Sequence, residues 1–260
     1  MPFSFQEAVH FFKDPGLYFS VGLIAIVFLI SLFQGLRLEG DLLLATLRGF
    51  LQLSLIGFAL IWIFSFKNPW VIAAALSLMV LLAGRIAGKR GREIPHAYWI
   101  VAGSLFVTVS MTLGLLVAGK VIPPEGTYLI PLGGMIIGNS MNGAGLTLDR
   151  LKSEMNLREG EILVYLSLGA SARESVQEIL HQVMRASLIP AIDTMKALGV
   201  IFMPGMMAGL IIAGKSPLVA VRYQIIVMFM LLSAAALTNL FVLLLGYRQF
   251  FTKNIQFKRL

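Results

Sequence analysis

The chain has 260 residues, of which 58% are hydrophobic and only 13% charged, against about 25% charged in soluble domains, and this excludes a water-soluble fold. The net charge of +8 gathers in short segments beside apolar runs, a pattern set by membrane insertion and anionic lipid rather than by nucleic acid. No cysteine is present, so disulfides, thiolate zinc sites, iron–sulfur ligation and cysteine nucleophiles are excluded.

Residues 1–16 hold Glu7 and Asp14, with Lys13 as their one base and no small-residue cleavage site after the apolar run, which is unlike a cleavable signal. Phe5, Ala8, Val9 and Phe12 recur at helical spacing and predict a short interfacial helix stopped by Asp14-Pro15-Gly16. Seven apolar segments follow, at 17–36, 41–66, 70–84, 98–118, 128–148, 197–213 and 223–246. A crossing of the roughly 30 Å hydrocarbon core takes about 18 or more residues as helix. The segment at 70–84 therefore needs its flanks, Trp70 and Ala87, to span.

The segments between these crossings set the orientation. With the C-terminus inside, the inner ones carry Arg37, Arg48, Arg85, Lys89, Arg90, Arg92, Arg150, Lys152, Arg158, Arg173, Arg185, Lys196, Arg248, Lys253, Lys258 and Arg259, which is 16 of the 21 basic residues. The outer ones keep Lys13, Lys67, Lys120, Lys215 and Arg222. The positive-inside rule then predicts an all-α polytopic membrane protein, a single domain over 1–260 with seven transmembrane helices, N-terminus out and C-terminus in. On the second segment Arg48 and Gln52 lie one turn apart. Arg48 is placed either to snorkel to the inner interface or to pair inside the bundle.

In the fifth segment Gly134, Gly138 and Asn142 are spaced by four, which lets another helix approach closely. Asn139, Ser140 and Asn142 bring uncharged hydrogen-bonding groups to mid-membrane, either as interhelical ties or as the lining of a substrate path. The sixth segment repeats the small-residue pattern with Gly205 and Gly209 and places a kink at Pro204. Its Met203, Met206 and Met207 fit either core gap-filling or a path for a soft metal.

The one long polar interval, 149–196, falls on the inner side. It contains a short helix near 158–169 and an amphipathic helix whose apolar face is Val176, Ile179, Leu180, Val183, Met184 and Leu188. Arg173, Glu174, Gln177, Glu178, His181 and Arg185 take its other faces. Two readings stay open, surface helices that close the bundle or a docking element for a cytosolic protein.

Gly209 to Ser216 matches the phosphate-loop pattern letter for letter, but that pattern works only between a strand and a helix. Here it ends an apolar segment on the outer side and Pro217 follows at once, so nucleotide binding is not expected of it. His10, His96 and His181 fall in separate segments, and no Asp or Glu lies within a confident crossing. That pattern argues against a histidine metal cluster, an ion-coupled carrier and a carboxylate or serine–histidine enzyme. Uphill movement would then draw its energy from outside the chain.

The stretch Gly134-Met135 through Gly138-Asn139-Ser140-Met141-Asn142 to Leu148-Asp149-Arg150-Leu151 resembles the signature of the FetB family, membrane subunits of ABC transporters assigned to iron export and related to a plant aluminium-tolerance half-transporter. A second block resembles the same family, from Pro190 and Asp193 through Phe202, Met203, Pro204, Gly205, Met206 and Met207 to Tyr223 and Gln224. The chain has Ala208 and Leu210 where many members carry Thr and Gln. The resemblance implies a bacterial inner-membrane permease for iron or another metal, with no cofactor of its own. ATP and Mg would be bound by a partner ATPase subunit, a second copy of this chain would complete the transporter, and 149–196 would couple the two kinds of subunit. An ATP-independent membrane scaffold or an enzyme of lipid or envelope metabolism is the alternative.

Overall fold

A computed structural model describes residues 15–35, 39–65, 68–252 and 254–259. The interfacial helix expected at Phe5, Ala8, Val9 and Phe12 lies outside them, as do Lys13, Arg37, Lys67 and Lys253 of the charge pattern. The described residues form helices and turns without a strand, and isolated bridges join Leu198 to Phe202 and Phe251 to Phe257. The chain divides into two compact units with the boundary after Ser65, where the sequence reads as one domain.

The first unit holds α1 (Pro15–Gln34) and α2 (Glu39–Ser65). Helix α1 is apolar all round, with Val21, Leu23 and Phe33 exposed, which suits a helix surrounded by lipid or other helices. It ends at Gly35, whose φ of 62° is the left-handed conformation that glycine adopts without strain. The buried Ser31 hydroxyl donates to Glu39 Oε1 at 2.9 Å and ties the two helices together. Arg48 and Gln52 are both exposed on α2.

In the second unit, α3 runs Pro69–Gly88. Asn68 caps it, the side chain accepting from the Trp70 amide at 3.0 Å, and Pro69 occupies the first turn where no N–H is needed. The segment expected at 70–84 thus extends past Arg85 to a full crossing length of 20 residues. A tight turn leads to α4 (Ala97–Ala118), and α5 (Gly126–Leu157) is longer than any crossing requires, about 48 Å by helical rise. Its last turns carry Asp149, Arg150 and Lys152 outward while Leu148, Leu151 and Met155 stay fully buried. Helices α6 (Glu159–Ser167) and α7 (Gln177–Ala197) follow, then α8 (Gly205–Ile212) and α9 (Pro217–Gly246). Ser216 caps α9, its hydroxyl accepting from the Val219 amide at 3.4 Å.

Contacts at glycines fix the helix directions. Gly84 and Gly88 of α3 meet Ala102 and Tyr98 of α4, so these two are antiparallel. Gly126 and Gly134 of α5 face Ile72 and Met79, which makes α3 and α5 parallel. Gly143 of α5 meets Asn239, and Gly246 meets Leu151, so α5 and α9 are also parallel. Helix α7 runs against α9, with Ser187 beside Asn239 and Leu180 to Met184 beside Leu240 to Leu244. One end of this unit therefore gathers Arg85, Lys89, Arg90, Arg92, Arg150, Lys152, Arg158, Arg173, Arg248, Lys258 and Arg259. The other end has Lys120, Lys215 and Arg222.

Three helices among the described residues are by themselves long and apolar enough to cross a membrane, Pro69–Gly88, Ala97–Ala118 and Pro217–Phe250. Two expectations change. The segment 197–213 is not one helix, because α7 stops at Ala197 and the eight-residue α8 begins only at Gly205. The interval 149–196 is not wholly peripheral, because its first nine residues continue α5 and α7 packs along α5 and α9.

The close approach at Gly84 gives a stability test. A Cβ there would lie 2.9 Å from the Ala102 Cβ, whereas at Gly103 it would meet nothing within 4 Å. Gly84→Leu should lower stability by about 1–3 kcal/mol through overpacking, and Gly103→Ala should hold or raise it, as helical Ala does over Gly. Thermal unfolding of the purified protein in detergent reads both.

Candidate functional site

A cleft of about 350 Å³ opens between α5, α7 and α9, with Arg90 from the turn after α3 on its wall. Its polar lining is Asn139 and Asn142 from α5, Ser187 and Thr194 from α7, Asn239 from α9 and Arg90. Met195, Met228 and Leu231 supply part of the apolar remainder. Asn139 and Asn142 reach it because they stand three residues apart on one helical face. Asn139 donates to the Met135 carbonyl one turn back at 3.0 Å, and Thr194 to the Pro190 carbonyl at 2.8 Å.

Asn239 is the buried centre of this site. It has no exposed surface, and its amide Nδ2 donates to the Ser187 carbonyl at 3.4 Å and to the Ser187 hydroxyl at 3.3 Å. The Cβ position of Gly143 lies 2.6 Å from Asn239 Oδ1, so only glycine lets α5 and α9 come this close. Oδ1 itself has no hydrogen-bond partner. An unsatisfied buried acceptor is rare enough to mark a strained or ligand-facing place.

The other residues expected at a substrate path are placed elsewhere. Ser140 is fully buried with its hydroxyl unpartnered, on the side of α5 away from the cleft lining. Met203 is exposed, Met206 packs against the core, and neither they nor Met207 line the cleft. The helix break displaces them. At Ala197 the chain turns through Gly199, whose φ is 79°. The Ile201 and Phe202 amides both donate to the Ala197 carbonyl at 3.0 Å, closing the end of α7.

The expected packing glycines divide similarly. Gly134 approaches Met79 on α3, its Cβ position 3.1 Å from the Met79 methyl. Gly138, Gly205 and Gly209 meet nothing within 4 Å. Within one chain the tight approaches fall instead at Gly84, Gly88, Gly91, Gly133, Gly143, Gly145 and Gly246.

A second groove lies at the basic end, between the start of α7 and the end of α9. Arg173, Glu174, Gln177 and His181 line it with Leu180, Met184, Leu240, Leu243 and Leu244. Glu178 does not; it accepts from Gln182 Nε2 at 2.8 Å on another face. Glu174 accepts from the Ser171 hydroxyl at 2.6 Å and from the Ser171 amide at 2.8 Å. These two bonds hold its carboxyl below the usual range. A depressed carboxyl pKa favours this turn above its ordinary value, and the contribution fades as pH falls through the lowered one.

Among the described residues no three His, Asp or Glu side chains stand close enough to hold a metal ion. The phosphate-loop lookalike is the end of α8 and the cap of α9, with no strand before it and the Ser216 hydroxyl engaged as cap. Arg90, Ser187, Thr194 and Asn239 were not singled out by sequence reasoning. A signal existed for Asn239, the lone amide in the second half of an apolar helix.

A family model described as an uncharacterised protein family, UPF0014, matches residues 15–251. The chain is 38% identical over 246 residues to the UPF0014 membrane protein YjkA of Bacillus subtilis, covering 93% of this chain and 98% of that one. It is 37% identical over 243 residues to the Arabidopsis thaliana protein ALUMINUM SENSITIVE 3, covering 93% and 88%. It is 34% identical over 252 residues to the probable iron export permease protein FetB of Escherichia coli, covering 95% of each. No solved structure gives a significant match.

The tie at Asn239 makes a direct prediction. Asn239→Ala removes both bonds to Ser187 and should destabilise the protein by about 1–3 kcal/mol. Gly143→Ala should destabilise it as well by driving a methyl into the Asn239 amide, and the two losses should add less than fully because the groups touch. Thermal unfolding of the single and double variants measures the coupling.

Proposed function

The chain belongs to the uncharacterised protein family UPF0014, and from that premise we propose that it is the membrane-spanning permease subunit of an ATP-driven exporter, powered by a separate ATPase. The observation that carries the proposal is the polar cleft in an otherwise apolar bundle, walled by three parallel or antiparallel helices and with Arg90 of the basic end among its lining residues. Such clefts, with a few placed polar groups, are how helix bundles hold small cargo. The name of the Escherichia coli relative, a probable iron export permease, supports a metal-linked cargo.

In this reading the basic end of the second unit faces the cytoplasm, and α3, α5 and α9 run inward while α4 runs outward. Helices α7 and α8 together make one broken outward crossing, which with α1 and α2 brings the crossings to seven, N-terminus out and C-terminus in. The membrane is the bacterial inner membrane, and two copies of the chain work with two ATPases that bind ATP and Mg. The groove at Arg173, Glu174, Gln177 and His181 receives the ATPase. Closure of the ATPases pushes on the start of α7, and α7 carries the motion to Ser187 and Asn239.

The test is capture of the co-expressed ATPase. Glu174→Arg alters a groove-lining carboxylate, and Glu178→Arg alters one on another face of α7. The first should weaken co-purification and transport by about tenfold or more, and the second should change both much less. Arg222→Glu, at the opposite end, serves as control. Full capture and transport with Glu174→Arg would exclude the groove as the docking surface. Lys215→Ala should leave ATPase turnover of the assembled complex within about twofold, since capping geometry rather than a phosphate loop surrounds it.

A further inference from the structure

We propose that the cleft takes its cargo as an anionic, oxygen-rich solute, so that a metal enters only inside such a complex, and that Arg90 reads the negative charge. The proposal rests on reading the cleft as the transport path and specifies what that path accepts.

Charge comes first. Arg90 is the one charged side chain among the lining residues, and no carboxylate lines the cleft. Three cations at the same end pair with carboxylates, Lys152 with Glu93 at 2.7 Å, Arg158 with Glu161 at 3.1 Å and Arg259 with Glu159 at 3.5 Å. Among the described residues Arg85, Lys89, Arg92, Arg150, Arg173, Arg248 and Lys258 pair with none, and neither does Arg90, so position in the cleft rather than lack of a partner distinguishes it. The carboxylate nearest in sequence to the α7 lining, Asp193, is held by Lys196 at 3.3 Å and does not line the cleft.

Position comes next. The Arg90 side chain lies across α5 at Gly145, where a Cβ would stand 2.9 Å from Arg90 Cδ. Glycine at 145 therefore makes room for the side chain, whose Nε and Nη1 lie 3.4 and 3.6 Å from the same Cβ position, and Arg90 is among the residues on the cleft wall. A planar guanidinium with five fixed N–H donors matches carboxylate or phosphate oxygens in pairs.

The donor set completes the case. A bare divalent iron or magnesium ion wants carboxylate, imidazole or a closed shell of oxygens. The cleft offers amides of Asn139, Asn142 and Asn239, hydroxyls of Ser187 and Thr194, and thioethers of Met195 and Met228. The Ser187 and Thr194 hydroxyls already donate to the Met184 and Pro190 carbonyls and the Asn239 amide to Ser187. The donors left for the oxygens of a chelated or phosphorylated solute are therefore Arg90, the Asn142 amide and the second N–H of Asn139. A volume of about 350 Å³ sits at the small end of organic-ligand pockets, roughly 300–1,000 Å³, and exceeds an ion held at about 2.0–2.6 Å from its ligands.

The experiment measures binding to the full-length protein in nanodiscs of zwitterionic lipid, with iron(III) citrate, citrate alone and anaerobic iron(II) as probes. The expected result is salt-sensitive binding of both citrate forms, weakened about tenfold or more by Arg90→Gln and partly recovered by Arg90→Lys. Iron(II) should bind wild type no better than Arg90→Gln. Citrate binding indifferent to Arg90→Gln, or iron(II) binding that outlasts the loss of citrate binding, would overturn the proposal. Citrate binding abolished by phosphatidylglycerol in the nanodisc would assign the site to a lipid headgroup and also overturn it. Asn142→Trp, which fills the cleft, separates the two levels of the argument. Unchanged ATP-driven transport with Asn142→Trp sinks the transport-path reading itself. Lost transport with Asn142→Trp, beside indifference to Arg90→Gln, sinks the anion proposal alone.

Discussion

Asn239 stands where α5, α7 and α9 meet, and the arrangement around the cleft depends on it. Its amide holds α7 through both the carbonyl and the hydroxyl of Ser187, while its oxygen lies against the bare backbone of Gly143. In hydrocarbon an amide without partners is costly, so helices that share one are held in register. The same contact sets the level of Ser187 relative to α5 and α9, and so determines which turns of α7 face the cleft: Pro190, Ala191, Thr194 and Met195.

That register also sets the level at which α7 ends. Ala197 lies ten residues beyond Ser187, about 15 Å along α7, whereas Pro217 lies about 33 Å from Asn239 along α9. Helix α7 therefore stops roughly 18 Å short of the far end of α9, and the irregular stretch from Leu198 to Pro204 falls within the depth of the bundle. Non-helical backbone is tolerated at such depth where protein or a cavity satisfies it. Here the turn satisfies itself, with Ile201 and Phe202 donating to the Ala197 carbonyl and Gly199 to the Phe202 carbonyl. The path from the Glu174 groove through α7 to this break is a single continuous helix of 21 residues.

Helical character and the charged end were legible because hydropathy and Lys/Arg placement report them directly. Boundaries were less so. Arg85 looks like the end of the third segment, yet it rides in the last turn of α3, its charge reaching outward while Ala83, Ala87 and Gly88 stay buried. Asp149 looks like the end of the fifth, yet α5 continues because Leu151 and Met155 still have a core to enter. The pairing of Asn139 with Asn142 on one face was readable from spacing alone. The methionines at 203, 206 and 207 looked equally well placed, but a break needs knowledge of Gly199 in a left-handed conformation, and hydropathy cannot register that. Arg90 was hidden by its neighbours: in a cluster with Arg85, Lys89 and Arg92, nothing in the sequence separates the one whose stem lies in a glycine notch on another helix.

The central claim is that the cleft between α5, α7 and α9 is a path whose access changes with ATP turnover. Because the chain has no cysteine, one introduced thiol reports its site without background. Thr194→Cys, assembled with the ATPase in inside-out and right-side-out vesicles, would be challenged with a membrane-impermeant thiol reagent, with and without nucleotide trapping by vanadate. The account predicts labelling from the cytoplasmic side in the resting complex, lost on trapping, with labelling from the opposite side gained. Labelling that does not change on trapping, or that never occurs from either side, would contradict it.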